Sequence, residues 1–433
     1  MADILDRVRS APPTRDAVVS LHRDLKRSTG IGLPLRLWDG TELGQGELGF
    51  RMVLQHPWSA RALLRPPFDL SAGEAYAEGA IDIEGDIEAA MATGERLGAG
   101  LPAGALERMR LTQRLMALPR PPRRRHTRRA HLHGRRHSLE RDRAAIAFHY
   151  DLPQRFYETF LDPDLVYSCA AFASPEESLA VAQQRKLSLV CAKLRLTPGS
   201  QLLDVGCGWG SLLIHAARHH GVRGVGVTLS ATQAEAGRER VARAGLSDRV
   251  EIRMADYREL DGTFDAIASI GMLEHVGPDH LDRYARRLRT LVRPGGLVLN
   301  HGIVLQDGDA VRTGRERTFL STYVFPDGGL VPAWRLVRAT QRAPLGLLDV
   351  QLLGPSYALT LRRWIASLEA AHDEVVAVAS EADYRIWRVY MAASAHSFAT
   401  GSLGVAQVLS GREATVPLGR DWMLPANRRA TTG

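Results

Sequence analysis

Apolar and polar positions follow two different periods along this chain. In the second half, short apolar runs with strand character alternate with segments whose apolar residues recur at helical spacing. The segments come in the order QLLDV, SLLIHAARHH, VRGVGVTL, TQAEAGRERVARAG, VEIRMA, FDAIASI, LDRYARRLRTLV and GLVLNHGIV. This alternation predicts an α/β fold in which helices cover both faces of a doubly wound, mostly parallel sheet.

The first 119 residues have a less regular pattern that predicts a smaller, separate domain. Helical spacing runs through Leu21 to Leu25, and strand-like stretches lie at 35–37 and 48–54. Helical spacing returns at 59–64 and 87–91. A chain of 433 residues with 45% hydrophobic content has enough apolar side chains for more than one core.

The net charge of +8 is concentrated in one stretch of the chain. Between Arg120 and His137 lie eight arginines and no acid, together with two prolines and four histidines. This composition is typical of an exposed linker. We therefore predict an N-terminal domain at 1–119, a basic linker at 120–137 and a C-terminal α/β domain at 138–433.

Several classes of protein are disfavoured by composition. A membrane-spanning helix needs a run of about 18 apolar residues, and the chain has no such run. The start MADILDRVRS lacks the apolar core of a secretory signal. The cysteines are Cys169, Cys191 and Cys207, whose spacing predicts neither a disulfide framework nor a zinc site. We therefore expect a reducing, cytoplasmic location and no metal.

The strongest single motif is the glycine-rich segment Asp204-Val-Gly206-Cys-Gly208-Trp-Gly210, which follows a predicted strand and opens a predicted helix. Its glycines permit a tight turn and the close approach of a ligand to the backbone. Dinucleotide sites prefer G-x-G-x-x-G and an acid at the end of the next strand, but here that strand ends GVGVTLS. The pattern favours S-adenosylmethionine over NAD, and a turn that binds no ligand is the alternative.

Further segments, in order, resemble the cyclopropane-fatty-acyl-phospholipid synthases and the related mycolic-acid methyltransferases. They are GEAYAEG at 73–79, YSCA at 167–170, LLDVGCGWGSL at 202–212, GVTLSATQ at 226–233, IGMLEHVGPDH at 270–280, LNHGI at 299–303, YVFPDGGLVP at 323–332 and GPSYALTLRRW at 354–364. The resemblance covers about residues 70–415. It implies a Rossmann-like class I methyltransferase domain with acyl-binding insertions at 138–433. It also implies that 1–119 serves in lipid binding or dimerisation.

The resemblance assigns S-adenosylmethionine to a set of residues at the ends of the predicted strands. Tyr167, Ser168 and the glycine loop would hold the methionine end, Thr228 and Gln233 the ribose, and Ile270 the adenine. The implied cofactor residues are Tyr167, Ser168, Asp204, Gly206, Gly208, Gly210, Thr228, Gln233, Asp256, Tyr257 and Ile270.

The family transfers a methyl group to a cis double bond of an acyl chain, and a bound bicarbonate ion is thought to remove the proton that lets the ring close. The implied catalytic residues are Cys169, Glu274, His301, Ile303 and Tyr357. His301 and Tyr357 can donate hydrogen bonds to an anion, and so can the thiol of Cys169 and the backbone N–H of Cys169 or Ile303. Glu274 would share a proton with bicarbonate or orient His301. Each of these five residues, taken alone, is also compatible with a purely structural role.

Two departures from the family pattern bear on the chemistry. Ser394 stands where some members have a cysteine once considered catalytic, so we assign no nucleophilic thiol. The segment LNHGI replaces LLHTI of the best-known members, which keeps His301 and Ile303 but leaves the product open.

The sequence thus predicts cyclopropanation of an unsaturated acyl chain in a membrane phospholipid. Alternatives are a methylene- or methyl-branched product, a small-molecule methyltransferase, and a non-catalytic lipid-binding scaffold. The expected partners are phospholipid acyl chains at the membrane surface and a second copy of the chain, as a homodimer. The basic stretch would anchor a cytoplasmic enzyme peripherally to anionic headgroups or serve as a plain linker. Nucleic acid is not expected, because the arginines are not interleaved with aromatic residues.

Overall fold

The computed structural model describes residues 12–44, 48–100, 113–122, 128–150, 152–306, 308 and 310–423. The chain forms two compact units. The first contains Met1–Arg129, Arg317–Val324 and Ala379–His396, and the second contains Ala130–Glu316, Phe325–Val378 and Ser397–Gly433. The two later segments of the first unit lie far beyond the predicted domain at 1–119, because local patterns do not reveal where a chain returns.

The first unit combines a small sheet with short helices. Its strands are β1 Leu35–Arg36, β2 Glu42–Leu43, β3 Phe50–Leu54 and β4 Ile81–Gly85, in the order β2-β1-β3-β4. Its helices are α1 Pro12–Thr29, α2 Ser59–Leu63, α3 Phe68–Ala77, α4 Ile87–Ala99, α12 Phe319–Tyr323 and most of α16 Glu381–Ala399. The helices and strands predicted at the start of the chain are confirmed, whereas α3 and β4 were not predicted.

Helix α3 carries the GEAY segment and packs against α12. A Cβ at Gly73 would come within 2.1 Å of the Phe319 ring, so only glycine permits this contact. The carboxylate of Asp69, in the first turn of α3, accepts a hydrogen bond from the Phe319 backbone N–H at 2.7 Å. The GEAY segment therefore has a structural role within this unit.

The basic stretch differs from the expected exposed linker. Arg128, Arg129 and Arg136 are partly buried, and each forms an ion pair within its own unit. Their partners are Asp383, Glu74 and Asp327, respectively. The prediction of a solvated linker is therefore wrong for these three arginines, whereas Arg120 and Arg135 are exposed.

The second unit contains the larger sheet and the helices that flank it. Its strands are β5 Gln201–Val205, β6 Arg223–Thr228, β7 Val250–Met254, β8 Phe264–Ile270, β9 Val292–Leu305, β10 Val331–Pro332, β11 Gly346–Leu352 and β12 Leu403–Gly411. Its helices are α5 Leu139–Tyr150, α6 Gln154–Glu158, α7 Leu179–Lys193, α8 Ser211–His220, α9 Ala231–Arg243, α10 Leu273–Val276, α11 Leu281–Leu291, α13 Ala333–Arg342, α14 Gly354–Ala370 and α15 His372–Val378.

The strand order β11-β12-β9-β8-β5-β6-β7 confirms the predicted doubly wound, mostly parallel sheet. Strands β5 to β9 run parallel, and β12 is antiparallel to both β9 and β11. β10 pairs with the end of β9 outside this order. The order reverses direction at β5, which lies between β6 and β8. In such sheets, ligands bind at the carboxyl ends of the strands beside the reversal point.

Both faces of the sheet are buried, as parallel strands require. Successive residues of β5 point to opposite faces, so Leu202 packs in one apolar cluster and Leu203 in the other. Helix α8 contributes Leu213 to the first cluster, and α11 contributes Leu288 to the second. The buried sheet provides a fixed frame for the loops at its carboxyl edge.

Candidate active site

A cavity of about 1340 Å³, counted with its open mouth, lies at the carboxyl edge of β5, β6 and β8. Ten of the eleven predicted cofactor residues line it. They are Tyr167, Ser168, Asp204, Gly206, Gly208, Thr228, Gln233, Asp256, Tyr257 and Ile270. The fold thus brings residues spread over a hundred positions to one concave surface.

The glycine loop forms the floor of this cavity. The backbone N–H groups of Gly206 and Cys207 donate to the carbonyl of Val227 at 2.9 and 3.0 Å, which fixes the loop to β6. Gly208 has a φ of 53°, and a Cβ built on it would meet no protein atom within 4 Å. Its backbone therefore faces open space where a ligand can approach.

The remaining predicted cofactor residue, Gly210, is not among the residues that line the cavity. It caps the N-terminus of α8 with a φ of 80°, and a Cβ there would lie 3.3 Å from the side chain of Ile252. The structure thus places Gly210 at a tight helix start, where it supports the loop without facing the ligand space.

The side chains of Thr228 and Gln233 are joined by a hydrogen bond on the cavity wall. The hydroxyl of Thr228 donates to Oε1 of Gln233 at 2.7 Å, and both side chains are buried. Ser230 caps α9 by accepting the backbone N–H of Gln233 at 3.2 Å. The helix start therefore fixes the two side chains that the sequence analysis assigned to the ribose.

Asp256 is held by a residue that the sequence analysis did not predict. The guanidinium of Arg258 donates to both carboxylate oxygens of Asp256, at 2.8 and 2.6 Å, and to Asp142 at 2.9 Å. These two carboxylates raise the pKa of Arg258 against the opposing effect of its burial. Asp256 therefore shapes the wall beside Tyr257 as part of a charged network.

The segment at the opposite end of the cavity is held by α7. The side-chain amide of Gln183 donates to the carbonyls of Val166 and Ser168, at 3.2 and 2.9 Å. One turn further along the same helix, the ammonium of Lys186 donates to the hydroxyl of Ser168 at 2.9 Å. Tyr167 and Ser168 thus face the cavity from a loop that is fixed on one side.

Lys186 is the most informative residue that the sequence analysis missed. It lines the cavity, yet the residue is only 1% exposed. Burial lowers the pKa of Lys186 to about 8, whereas the nearby Asp162, Cys169 and Asp204 oppose that shift. Burial also raises the pKa of Asp204 to about 7, and the Lys186 ammonium opposes this rise. The sequence did contain a signal that Lys186 is buried. The residue lies four positions from both Ala182 and Val190, on the apolar face of α7.

The five predicted catalytic residues lie behind this wall and are linked by a short series of contacts. The Cys169 thiol points to the carbonyl of Leu353 at 3.7 Å, just before α14, which carries Tyr357 in its first turn. The N–H of Leu353 donates to the carbonyl of Val405 at 2.8 Å. Val405 pairs with Ile303 between β12 and β9, and His301 lies two residues before Ile303. The cavity wall itself does not include the five residues.

Glu274 and Ile303 are joined directly. The backbone N–H of Ile303 donates to Oε1 of Glu274 at 2.6 Å, so this N–H is not available to an anion as the sequence analysis had allowed. The other oxygen, Oε2, is buried and has no hydrogen-bond partner within the described part of the chain. Burial raises the pKa of Glu274 to about 7, so much of this carboxyl group is protonated near neutral pH.

His301 is oriented by Gln407, not by Glu274. The Gln407 amide donates to Nδ1 of His301 at 3.1 Å, which leaves the ring proton on Nε2. Burial lowers the pKa of His301 to about 3, and the positive charges of Lys186 and Lys193 add to the shift. His301 is therefore a neutral hydrogen-bond donor through Nε2.

Cys169 and Tyr357 are both buried. Burial raises the pKa of the Cys169 thiol, which points to backbone carbonyls and does not form a nucleophilic thiolate. The ring of Tyr357 packs against Phe398 at 4.6 Å and against Trp364 at 6.0 Å between centroids. Tyr167 stacks on the same Trp364 at 5.1 Å, so aromatic contacts connect the cavity wall to Tyr357.

Comparison with solved structures identifies the class of protein. The chain is similar to the cyclopropane synthase MmaA2 from Mycobacterium tuberculosis, with 31% identity and a TM-score of 0.58 over 62% of this chain and 97% of that one. It is equally similar, at 32% identity and the same TM-score and coverage, to the mycolic acid cyclopropane synthase CmaA1 complexed with SAH and CTAB. Together with the cavity beside β5, this fold defines a class I methyltransferase that uses S-adenosylmethionine.

The chain belongs to the mycolic acid cyclopropane synthetase family, whose model matches residues 137–408. Residues 20–96 match a domain of unknown function. A probable fatty acid methyltransferase of Pseudomonas putida is 37% identical over 89% of this chain and 93% of its own length. The cyclopropane-fatty-acyl-phospholipid synthase of Escherichia coli is 36% identical over 61% of this chain and 66% of its own length. The protein is an S-adenosylmethionine-dependent C-methyltransferase of a family whose named members modify fatty acyl chains.

Proposed function

We propose that this enzyme methylates the cis double bond of an unsaturated acyl chain in a membrane phospholipid and yields a cyclopropane. The observation that carries the proposal is the buried, unpartnered Oε2 of Glu274, whose other oxygen accepts the N–H of Ile303, two residues after His301 on the same strand. A methyltransferase for amines or hydroxyls needs a base for the nucleophile, whereas an alkene has no proton to lose before attack. The names of the relatives support the same substrate class.

The protein's contribution to such a reaction is positioning in a dry site. S-adenosylmethionine, when bound, supplies an electrophilic methyl group on a sulfonium. The rings of Tyr150, Tyr167 and Trp209 line the cavity, and the faces of such rings attract a cation. The buried carboxyl of Asp204 and the ammonium of Lys186 set the charge at the methionine end.

The residues behind the wall suit a small oxyanion. Neutral His301 offers Nε2–H, and the protonated form of Glu274 offers Oε2–H, which removes the conflict between a carboxylate and an anion. Ile303 serves by holding Oε1 of Glu274, so that Oε2 is the free oxygen. We infer that these groups, with Cys169 and Tyr357, hold bicarbonate. Bicarbonate, when bound, supplies a base that is a weak nucleophile toward the sulfonium methyl.

A methylene- or methyl-branched product is the second candidate. The observation in its favour is the LNHGI segment, which departs from the LLHTI of the best-known family members. The Asn300 side chain accepts a hydrogen bond from Tyr284 at 2.5 Å, in a buried network with Ser269. A Cβ at Gly302 would lie 2.7 Å from Leu273, so glycine lets α10, which carries Glu274, pack close to β9. The departure thus lies on the strand face behind the anion residues and can alter the position of Glu274.

Lipid analysis of cells that express the protein tests the proposal. After growth with methyl-deuterated methionine, we expect phospholipids with cyclopropane chains that keep only part of the methyl label, because ring closure removes one hydrogen. A chain that keeps the full label has lost its proton from a chain carbon, which gives an unsaturated methyl-branched product, and mild hydrogenation separates a methylene chain from a cyclopropane. Unchanged lipids, together with methylation of soluble amines by the purified enzyme, would contradict the proposal.

Membrane docking by the basic stretch is a further part of the proposed function. No helix among the described residues is both long and apolar enough to span a bilayer. Replacing Arg120, Arg123, Arg124, Arg125 and Arg135 by glutamine removes five charges and keeps the three arginines that form ion pairs. We expect this variant to lose most of its sedimentation with anionic vesicles, because each basic residue near the surface contributes about 1 kcal/mol.

The matched control removes the same number of charges from the α/β unit. Its five glutamines replace exposed arginines at 218, 223, 243, 249 and 286. Wild-type binding should weaken by about 0.5 M salt, where the Debye length falls to a few ångströms. Equal loss of vesicle binding in both variants would show that only the net charge matters. No loss of binding in either variant would show that the basic stretch is only a linker.

A further inference from the structure

Three side chains in the second unit form a cluster with the composition of a transition-metal site. Cys191 lies near the end of α7, and His215 and His220 lie on α8. Their ligand atoms, one per residue, all lie within 4.8 Å of one another. The cluster joins two helices that are separated by β5 and the glycine loop, so neither the cysteine spacing nor any local motif indicated it.

The second ring nitrogen of His215 is held in the manner of a metal ligand. Nδ1 of His215 donates to Oε1 of Gln184 at 3.1 Å, which leaves the lone pair on Nε2. That Nε2 faces the Ser188 hydroxyl, at 3.3 Å and one turn before Cys191. Metal-bound histidines nearly always donate their other N–H to such oxygens, which fixes the tautomer and the ring direction.

The sulfur ligand of the cluster is shielded from solvent, because Cys191 is fully buried. A bound dication would change the state of this thiol, because a coordinated thiol loses its proton.

We propose that Cys191, His215 and His220 form a Zn²⁺ site that links α7 to α8. Cysteine sulfur and histidine nitrogen are both usual protein ligands of zinc, whose coordination is most often tetrahedral. The fourth position is open to water or to His219, whose exposed ring lies 4.5 Å from that of His215. The site revises the expectation of no metal that the cysteine spacing gave.

The position of the site gives it a consequence for the cofactor cavity. Lys186, five residues before Cys191 on α7, lines that cavity, and α8 begins at the glycine loop. Zinc would therefore link two helices that each contribute residues to the lining of the cavity. The proposal concerns this chain's own side chains and does not depend on which acyl product the enzyme makes.

Cobalt substitution of the full-length, metal-free protein tests the site. A cysteine thiolate bound to Co²⁺ gives intense charge-transfer absorption in the near ultraviolet, and tetrahedral coordination gives visible bands. We expect both to develop with one equivalent of Co²⁺ and to be displaced by Zn²⁺. The Cys191→Ala variant should lose the thiolate absorption, and His220→Ala should weaken cobalt binding by about tenfold or more, as loss of a ligating group does.

The control is His372→Ala, which removes a partly exposed histidine of the same unit. We expect it to bind cobalt like the wild type. Because Cys191 is buried, the half-exposed His220 provides the variant with the smaller risk to folding. Stoichiometric Zn²⁺ should also raise the melting temperature of the wild type and not of His220→Ala, since ligands that bind only the folded state stabilise it. Cobalt binding without thiolate absorption, or equally in all variants, would reduce the cluster to adventitious surface binding and overturn the proposal.

Discussion

Replacing Glu274 by glutamine or His301 by alanine should lower turnover by about 100-fold or more, the usual worth of a positioned acid–base group. Cofactor affinity should stay close to that of the wild type, because neither residue lines the cavity. Glu274→Gln keeps the acceptor for the Ile303 N–H but replaces the unpartnered Oε2 by an amide nitrogen. Steady-state rates and calorimetric titration with S-adenosylhomocysteine measure the two effects separately.

The control is Glu251→Gln, which removes an exposed carboxylate from β7. It should leave turnover unchanged, and the melting temperatures of all variants show whether folding is affected. Added bicarbonate should stimulate the wild type in carbonate-depleted buffer and have less effect on either active-site variant. Wild-type rates in both variants, without any response to bicarbonate, would show that the proton leaves by another route.

Replacing Gly208 by valine should weaken binding of S-adenosylmethionine by about 100-fold or more, equivalent to roughly 3 kcal/mol. The new side chain would project into the cavity, where the glycine backbone now faces open space. A β-branched residue is also strained at the φ of 53° that Gly208 adopts. Calorimetric titration of the purified variant gives the affinity directly.

The strain and the loss of ligand space can be separated by a matched variant. Gly245 also has a positive φ, 69°, and also has no atom within 4 Å of a built Cβ, but it follows α9 outside the cavity. Gly245→Val should therefore lower the melting temperature by a similar amount and leave cofactor affinity intact. An unchanged affinity in Gly208→Val would refute the assignment of the loop to the cofactor.

The proposed chemistry depends on which oxygen of Glu274 is engaged. Ile303 was predicted as an anion donor, but its N–H holds Oε1 and leaves Oε2 buried and without a partner among the described residues. Orientation of His301 falls to Gln407, on β12, a strand whose sequence carries no recognised motif. Gln407→Leu therefore complements His301→Ala, because it removes the hydrogen bond that orients the imidazole and keeps the imidazole itself.

The sequence by itself determined the strands β5 to β9, the helices between them and the edge of the sheet at which the cofactor residues meet. A period of two along QLLDV and FDAIASI and a period near 3.6 along the helices are local consequences of burial, so they can be read without knowing the fold. The positive φ values of the glycine loop are likewise encoded by Gly206 and Gly208 themselves. Once β5 and β6 are parallel neighbours, their loops must meet at the same edge, which explains why ten predicted residues share one cavity.

Only the tertiary structure decided which polar groups pair across the chain. Lys186 approaches Ser168, Arg128 pairs with Asp383, and Cys191 meets two histidines of another helix. Each of these groups lies on a helix or loop whose own pattern is compatible with solvent or with burial. Its partner is fixed by the packing of elements distant in sequence. The cost of burying an unpaired charge selects the partner only after the chain has folded, so no local pattern can predict it.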